Sequence, residues 1–151
     1  GTADRSKMAV FGWSYGGYAA LQSSVLDPDL FKAIVAVAPV TDLARLKEDS
    51  RRFTNFGLVS DYIGTGEHIV SGSPRRQAKS FKAPVLMFSG DIDATVDISQ
   101  AKAMDAALKE NGKESELITY QGLAHSLVDS TARADMLQRS SDFFKRFLGV
   151  P

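Results

Sequence analysis

No cysteine occurs among the 151 residues. Disulfides, zinc–thiolate sites and a cysteine nucleophile are excluded, and the redox compartment is left open. Histidine is almost as scarce, with His68 and His125 the only two. Any chemistry that needs an imidazole must use one of them. Net charge is also lacking: 18 Lys and Arg balance 18 Asp and Glu, so nothing points to nucleic acid or to an anionic membrane surface. No apolar run approaches the roughly 20 residues that span a bilayer. There is no Gly-rich phosphate loop, no dinucleotide fingerprint and no internal repeat. What is left is a chain long enough to bury a sizeable core.

Against these absences stands Gly12-Trp13-Ser14-Tyr15-Gly16. The short apolar stretch Lys7–Phe11 before it reads as a buried strand, and Gly17–Leu26 after it reads as a helix. Strand, tight turn and helix are the setting of a nucleophile elbow, G-x-S-x-G, which lifts the serine Oγ above the sheet edge. Strained backbone at such a turn needs small neighbours. Gly12 and Gly16 supply them, and Gly17 gives the helix room to pack on the strand. The bland reading is a Gly-rich strand-to-helix turn with an exposed serine.

A nucleophilic serine requires a base, and the base an orienting acid. His125 follows the apolar stretch Glu116–Tyr120 and falls on the loop beyond that strand's carboxyl end. His68 lies among polar residues, Gly64-Thr65-Gly66-Glu67, and reads as a surface-loop histidine. The acid candidate is Asp93, just past the buried strand Ala83–Gly90. On the residues alone Asp91 competes with it. A calcium loop through Asp91, Asp93 and Asp97 fails, because Val96 stands where the loop needs Gly and Lys102 where it needs Glu. Asp97 reads as the cap of the next helix. The order Ser14, Asp93, His125 is that of the α/β-hydrolases, unlike that of chymotrypsin or subtilisin. Each of the three follows a strand, and in a parallel sheet the carboxyl ends share one edge, where ligands bind.

The wider pattern alternates strand and helix. Strands are expected near 7–12, 33–38, 84–89 and 115–120, and helices near 15–26, 97–110 and 130–148. Such alternation implies a parallel sheet with right-handed crossovers. Asn111-Gly112 ends the middle of these helices. Residues 41–82 break the rhythm and read as an excursion over the active-site edge, with short helices around Leu43, Leu46, Phe53, Phe56, Tyr62 and Ile63. Lys47, Arg51, Arg52, Arg75 and Arg76 within it read as a solvated face.

The sequence resembles the carboxyl-terminal catalytic part of the prolyl oligopeptidase family of serine peptidases. The resemblance is carried by Phe11–Tyr18, by Phe31–Asp42, by Ser73-Pro74 ahead of Lys82–Leu86, by Gly90–Val96 and by Tyr120–His125. The family's G-x-x-D-x-x-V pattern places the triad acid at Asp93 and a pocket-side valine at Val96. Val40, which closes the Ala-Pro-Val stretch, is the other substrate-binding candidate. The resemblance also makes Tyr15 the residue whose backbone N–H holds the oxyanion. It implies acyl transfer on a peptide substrate, with neither metal nor organic cofactor. An esterase of the same fold and a non-catalytic assembly module with a vestigial triad are the alternatives. Three departures stand out: Ser89-Gly90 replaces the frequent His-Gly, His125-Ser126 replaces His-Gly, and Leu43 and Leu46 stand where dipeptidyl peptidases carry aromatic walls for proline.

The expected fold is therefore a partial α/β-hydrolase, residues 1–151 forming the carboxyl-terminal portion of the catalytic domain. Only one strand precedes Ser14, so the earlier strands and the loop that gives the second oxyanion donor are expected outside this chain. The strand at Lys7–Gly12 then has a free edge, beside apolar Val10, Phe11 and Leu21. Such an edge is a template for another chain. A homodimer, or association with the amino-terminal remainder, is the expected consequence; neither a nucleic-acid partner nor a membrane span is expected.

Overall fold

The computed structural model describes residues 4–151. Among them, four strands form one parallel sheet in sequence order: β1 (Ala9–Trp13), β2 (Ala33–Val37), β3 (Val85–Gly90) and β4 (Ser115–Tyr120). The register pairs Gly12 with Ala36, Val37 with Phe88, and Gly90 with Tyr120. All four strands expected from the sequence are present, shifted by at most two residues. The largest shift is at β1, where Lys7 belongs instead to a 3₁₀ turn, Arg5–Lys7, capped by the Asp4 carboxylate.

β2 and β3 are buried along their whole length, as expected of parallel strands covered on both faces. Ile34, Ala36, Val85 and Met87 face one layer, where they meet Ala20 and Leu21 of α1 (Tyr15–Leu26) and Met104 and Leu108 of α5 (Ser99–Glu110). Val35, Val37, Leu86 and Phe88 face the other layer, against Met136, Phe143 and Phe144 of α6 (Ser130–Leu148). Each large side chain buried this way contributes about 1.5–3 kcal/mol. Leu21, expected at a bare surface, is fully buried in the first layer. Phe11 is 42% exposed, and β1 pairs on one side only among the described residues. No helix among the described residues is long and apolar enough to cross a membrane.

The excursion folds into α2 (Leu43–Asp49), α3 (Phe56–Ile63), α4 (His68–Ser71) and two 3₁₀ turns, Ser50–Arg52 and Pro74–Ser80. Asp42 organises it. Its carboxylate is buried, with the side chain 2% exposed. It caps α2 through the Arg45 amide and accepts from the Arg75 guanidinium at 2.6 Å and from Arg76 Nε at 3.1 Å. Arg75 and Arg76 therefore do not form the free solvated face expected of them: a buried carboxylate needs partners, and these two supply them. Lys47 and Arg52 are likewise tied down, to the carbonyls of Gly64 and Ala94, while Arg51 pairs with Glu48 at the surface. His68 opens α4, and its ring nitrogen bonds the Ile63 carbonyl at 2.7 Å, at the end of α3.

Burial pushes the Asp42 carboxyl up, but the Arg75 hydrogen bond, the Arg45 amide and the two guanidinium charges outweigh it and hold the group below the ordinary carboxylate range. A carboxyl depressed by folding stabilises the protein above its unfolded pKa, roughly 3.9, and loses that contribution as pH falls through the folded value. Asp42→Asn should therefore lower stability at neutral pH by about 1–2 kcal/mol, the modest figure reflecting partly exposed guanidiniums. The gap between variant and parent should shrink below about pH 4. Denaturant unfolding of both proteins across pH checks this.

Candidate active site

Ser14 joins β1 to α1 with φ 58° and ψ −119°. A left-handed serine costs on the order of 1–3 kcal/mol and persists only when its surroundings hold it. Here its N–H donates to the Val37 carbonyl at 2.8 Å, and its carbonyl accepts from the Tyr18 amide at 3.0 Å. Gly12 is obligatory, because a Cβ there would lie 2.0 Å from the Gly16 carbonyl oxygen. Gly17 lets α1 approach β2, with a Cβ reaching within 3.1 Å of Pro39. Gly16 departs from the expectation that crowding demands it: outside its chain neighbours and the adjoining backbone of α1, no described atom lies within 4 Å of a Cβ built there.

The three sequence candidates meet at the carboxyl edge of the sheet. His125 Nε2 lies 2.9 Å from Ser14 Oγ, and His125 Nδ1 lies 2.7 Å from Asp93 Oδ2. The Asp93 side chain is wholly buried and that of His125 is 21% exposed. Asp93 Oδ1 accepts from the amides of Thr95 at 2.8 Å and Val96 at 2.9 Å. An ionised carboxylate only accepts, so a bond to Asp93 calls for the proton on Nδ1, and a neutral ring of that tautomer would present Nε2 to the serine as an acceptor. Tyr15 opens α1, so its amide has no acceptor within the helix and faces outward from the first turn.

Asp91 does different work from Asp93. Its Oδ1 accepts from the Gly122 amide at 2.6 Å, while the Ile92 amide donates to Leu123 O at 3.2 Å. The acid loop and the histidine loop are thereby laced together. Gly90 permits the lacing, since a Cβ there would sit 2.0 Å from Leu123 O. Asp97 accepts from the Ser99 amide at 2.9 Å and from the Ser99 hydroxyl, and those bonds hold its carboxyl low. It thus serves the first turn of α5, although the helix begins two residues later than expected.

Val40 and Val96 are both nearly buried. Val40 follows Ala38, whose φ of 45° turns the chain out of β2. Its neighbours Thr41 and Asp42 are fixed by the buried Gln100 side chain, whose Oε1 accepts from both their amides at 3.0 and 2.9 Å. Val40 lines a cavity of about 440 Å³ with Tyr15, Tyr18, Leu43, Leu46 and Tyr62. Val96 lines a neighbouring cavity of about 350 Å³ with Phe53 and Asp49. The two cavities share Leu46 and Val59. Gln100 and the lacing role of Asp91 carry no local sequence signal, because their partners lie far along the chain.

The profile of the prolyl oligopeptidase family matches residues 1–151. The chain belongs to the prolyl oligopeptidase family. Dipeptidyl peptidase family member 1 of Caenorhabditis elegans, a member of similar sequence, is 29% identical over 131 residues, covering 85% of this chain and 15% of its own length. Among solved structures, a Mycobacterium tuberculosis puromycin-hydrolyzing peptidase superposes with a TM-score of 0.88 at 26% identity, over 99% of this chain and 23% of that one. An acylaminoacyl peptidase in complex with Z-Gly-Gly-Phe-chloromethyl ketone superposes with a TM-score of 0.82 at 26% identity, over 99% of this chain and 25% of that one. The four parallel strands with flanking helices are a partial α/β-hydrolase fold. The chain spans about a fifth of the length of such relatives.

Gly90→Ala should push the histidine loop off the acid loop. The expected loss is about 1–3 kcal/mol of stability, the range for a forced overpacking, together with a changed environment for the His125 ring. Thermal unfolding and the imidazole proton signals in NMR measure the two effects.

Proposed function

We propose that these residues are the carboxyl-terminal portion of the catalytic domain of a serine peptidase, acting on peptides by acyl transfer. The observation that carries the reading is the unbroken relay from Ser14 Oγ through His125 to the buried Asp93, at 2.9 and 2.7 Å. Ser14 Oγ attacks the scissile carbonyl while His125 Nε2 takes its proton. The same proton then passes to the leaving amine. Asp93 keeps the imidazole tautomer and stabilises the cation that forms. Water, activated by His125, then releases the acyl group. The Tyr15 N–H donates to the oxyanion. The second donor comes, in this fold, from a loop upstream of the nucleophile. Each such donor is worth roughly 2.7–4 kcal/mol of transition-state stabilisation.

The apolar cavity beside Tyr15 supports a substrate with a large apolar side chain at the acyl position. Val40, Leu43 and Leu46 form its walls, and Tyr18 and Tyr62 add aromatic surface. Val96 borders the extension beyond Leu46. An acylaminoacyl peptidase of similar fold forms a complex with Z-Gly-Gly-Phe-chloromethyl ketone, and a phenylalanine side chain agrees with a pocket of this lining. The peptidase reading is preferred to the esterase one on family membership.

The free side of β1 supports assembly. With Phe11 half exposed beside an edge of β1 that is unpaired among the described residues, the strand offers a surface for pairing with another strand, which a second copy supplies when the chain is made alone.

In the full-length protein, Ser14→Ala should lower turnover of an oligopeptide with an apolar acyl residue by about 10⁶-fold while leaving the fold intact. Steady cleavage by Ser14→Ala contradicts the reading, and preference for esters over peptides moves it to the esterase. The 151 residues alone should hydrolyse activated esters poorly, because among the described residues β1 is the one strand ahead of Ser14 and no loop upstream of it offers the second donor. They should also self-associate, and a clean monomer by light scattering above about 100 μM, well into the range where exposed edges associate, contradicts the pairing of β1.

A further inference from the structure

The imidazole of His125 is rigid and must satisfy hydrogen bonds at both ends at once, to Ser14 and to Asp93. Its placement is therefore set by the backbone that carries it. That backbone, from Gln121 to Asp129, has no helix or strand. Its amino-terminal half is held by Asp91 on the Gly122 amide and by Ile92 on Leu123 O. Its carboxyl-terminal half is held differently. Three successive carbonyls, at 125, 126 and 127, each accept from a side chain outside the loop, one from β1 and two from the helix that follows.

The Trp13 indole N–H, at the end of β1, donates to His125 O at 3.2 Å. Arg133, in the first turns of α6, donates from Nη2 to Ser126 O at 2.9 Å and from Nε to Leu127 O at 3.0 Å. Leu127 has a φ of 44° and is completely buried. A left-handed leucine is a strained backbone conformation that persists only where its surroundings hold it, so the turn needs restraint from outside. The planar guanidinium offers two donors in a fixed fork, which a lysine ammonium cannot reproduce. The same turn leads directly into the Asp129 cap of α6, which accepts from Ala132 N at 2.7 Å.

We propose that Arg133 and Trp13 are positioning residues for His125. Between them they clamp the three carbonyls, hold the strained turn at Leu127, and keep one imidazole in reach of both Ser14 Oγ and Asp93. Trp13 ties the base to the strand that carries the nucleophile, so the two move as one body. Arg133 ties it to α6, which packs on the opposite face of the sheet from α1. The inference rests on the reading of Ser14, His125 and Asp93 as the acyl-transfer relay.

The test uses the full-length protein and three variants: Trp13→Phe, which keeps a ring and removes the N–H; Arg133→Lys, which keeps the charge and removes the fork; and Arg133→Ala. Readouts are kcat and KM on a peptide, the thermal midpoint, and the low-field proton resonance of the His125–Asp93 hydrogen bond. The expected result is a fall in kcat of about 10- to 100-fold, the scale of a misplacement of about 1 Å, with KM and thermal midpoint close to the parent. The low-field resonance should shift or broaden in each variant. Millimolar guanidinium should restore much of the kcat of Arg133→Ala and leave the parent unaffected. Parent-like kcat and resonance in all three variants overturn the proposal. A loss that tracks the thermal midpoint and is not rescued by guanidinium overturns it too. If the parent itself turns over no substrate and Ser14→Ala changes nothing, the acyl-transfer reading has failed, and the resonance alone then decides whether these residues hold the imidazole.

Discussion

A carboxylate taken fully out of water costs several kcal/mol unless its oxygens are satisfied. At Asp93 two backbone amides and one imidazole meet that need. The arrangement works in both directions. The acid loop is curled so that Thr95 and Val96 aim their N–H groups at Oδ1, which leaves Oδ2 directed at the histidine. Without the imidazole one buried oxygen would be orphaned, and without the acid the imidazole would lose the partner that sets its tautomer. The rest of the structure brings these two groups, 32 residues apart, to the same place.

The parallel sheet does most of that work. Because β1, β3 and β4 run the same way, Ser14, Asp93 and His125 leave the sheet at one edge, and the register Gly90–Tyr120 sets the acid and histidine loops side by side. The remaining distance is closed by small details: a glycine at 90 that allows contact with Leu123, an aspartate at 91 that reaches Gly122, and a ring stack of Phe88 on Tyr120 at 6.1 Å that seats the last strand. Tyr120 further binds Asp135 of α6 through its hydroxyl at 2.8 Å. Burial and that carboxylate push its ionisation above the usual tyrosine range.

Much of this was legible in the residues. Strands whose apolar runs end in glycine or in a turn were readable because local pattern reports local structure, and β4, α1 and α6 have the bounds their pattern implies. The scarcity of histidine made the base a choice between two residues. The acid was different. Asp91 and Asp93 are equivalent by composition and spacing, and family resemblance rather than local chemistry separated them. What no local pattern carries is contact across the chain. Asp42 recruits Arg75 and Arg76 from more than 30 residues away, Gln100 secures the turn at Thr41, and Trp13 meets His125 across 112 residues. Arginines read as solvated were pairing partners for that reason. Gly16 shows the converse, a glycine the motif demands but whose surroundings among the described residues do not.

Under the function proposed above, Ser14 is a nucleophile activated by His125, which Asp93 holds in place. Mapping the adduct of a fluorophosphonate on the full-length protein by peptide mass spectrometry tests it most directly, because the reagent modifies only a serine whose proton is being withdrawn. The expected result is one adduct, on the peptide containing Ser14, lost when Asp93 or His125 is replaced by Ala in a protein that remains folded. An adduct on a different serine, or a folded and unlabelled parent protein, would contradict it.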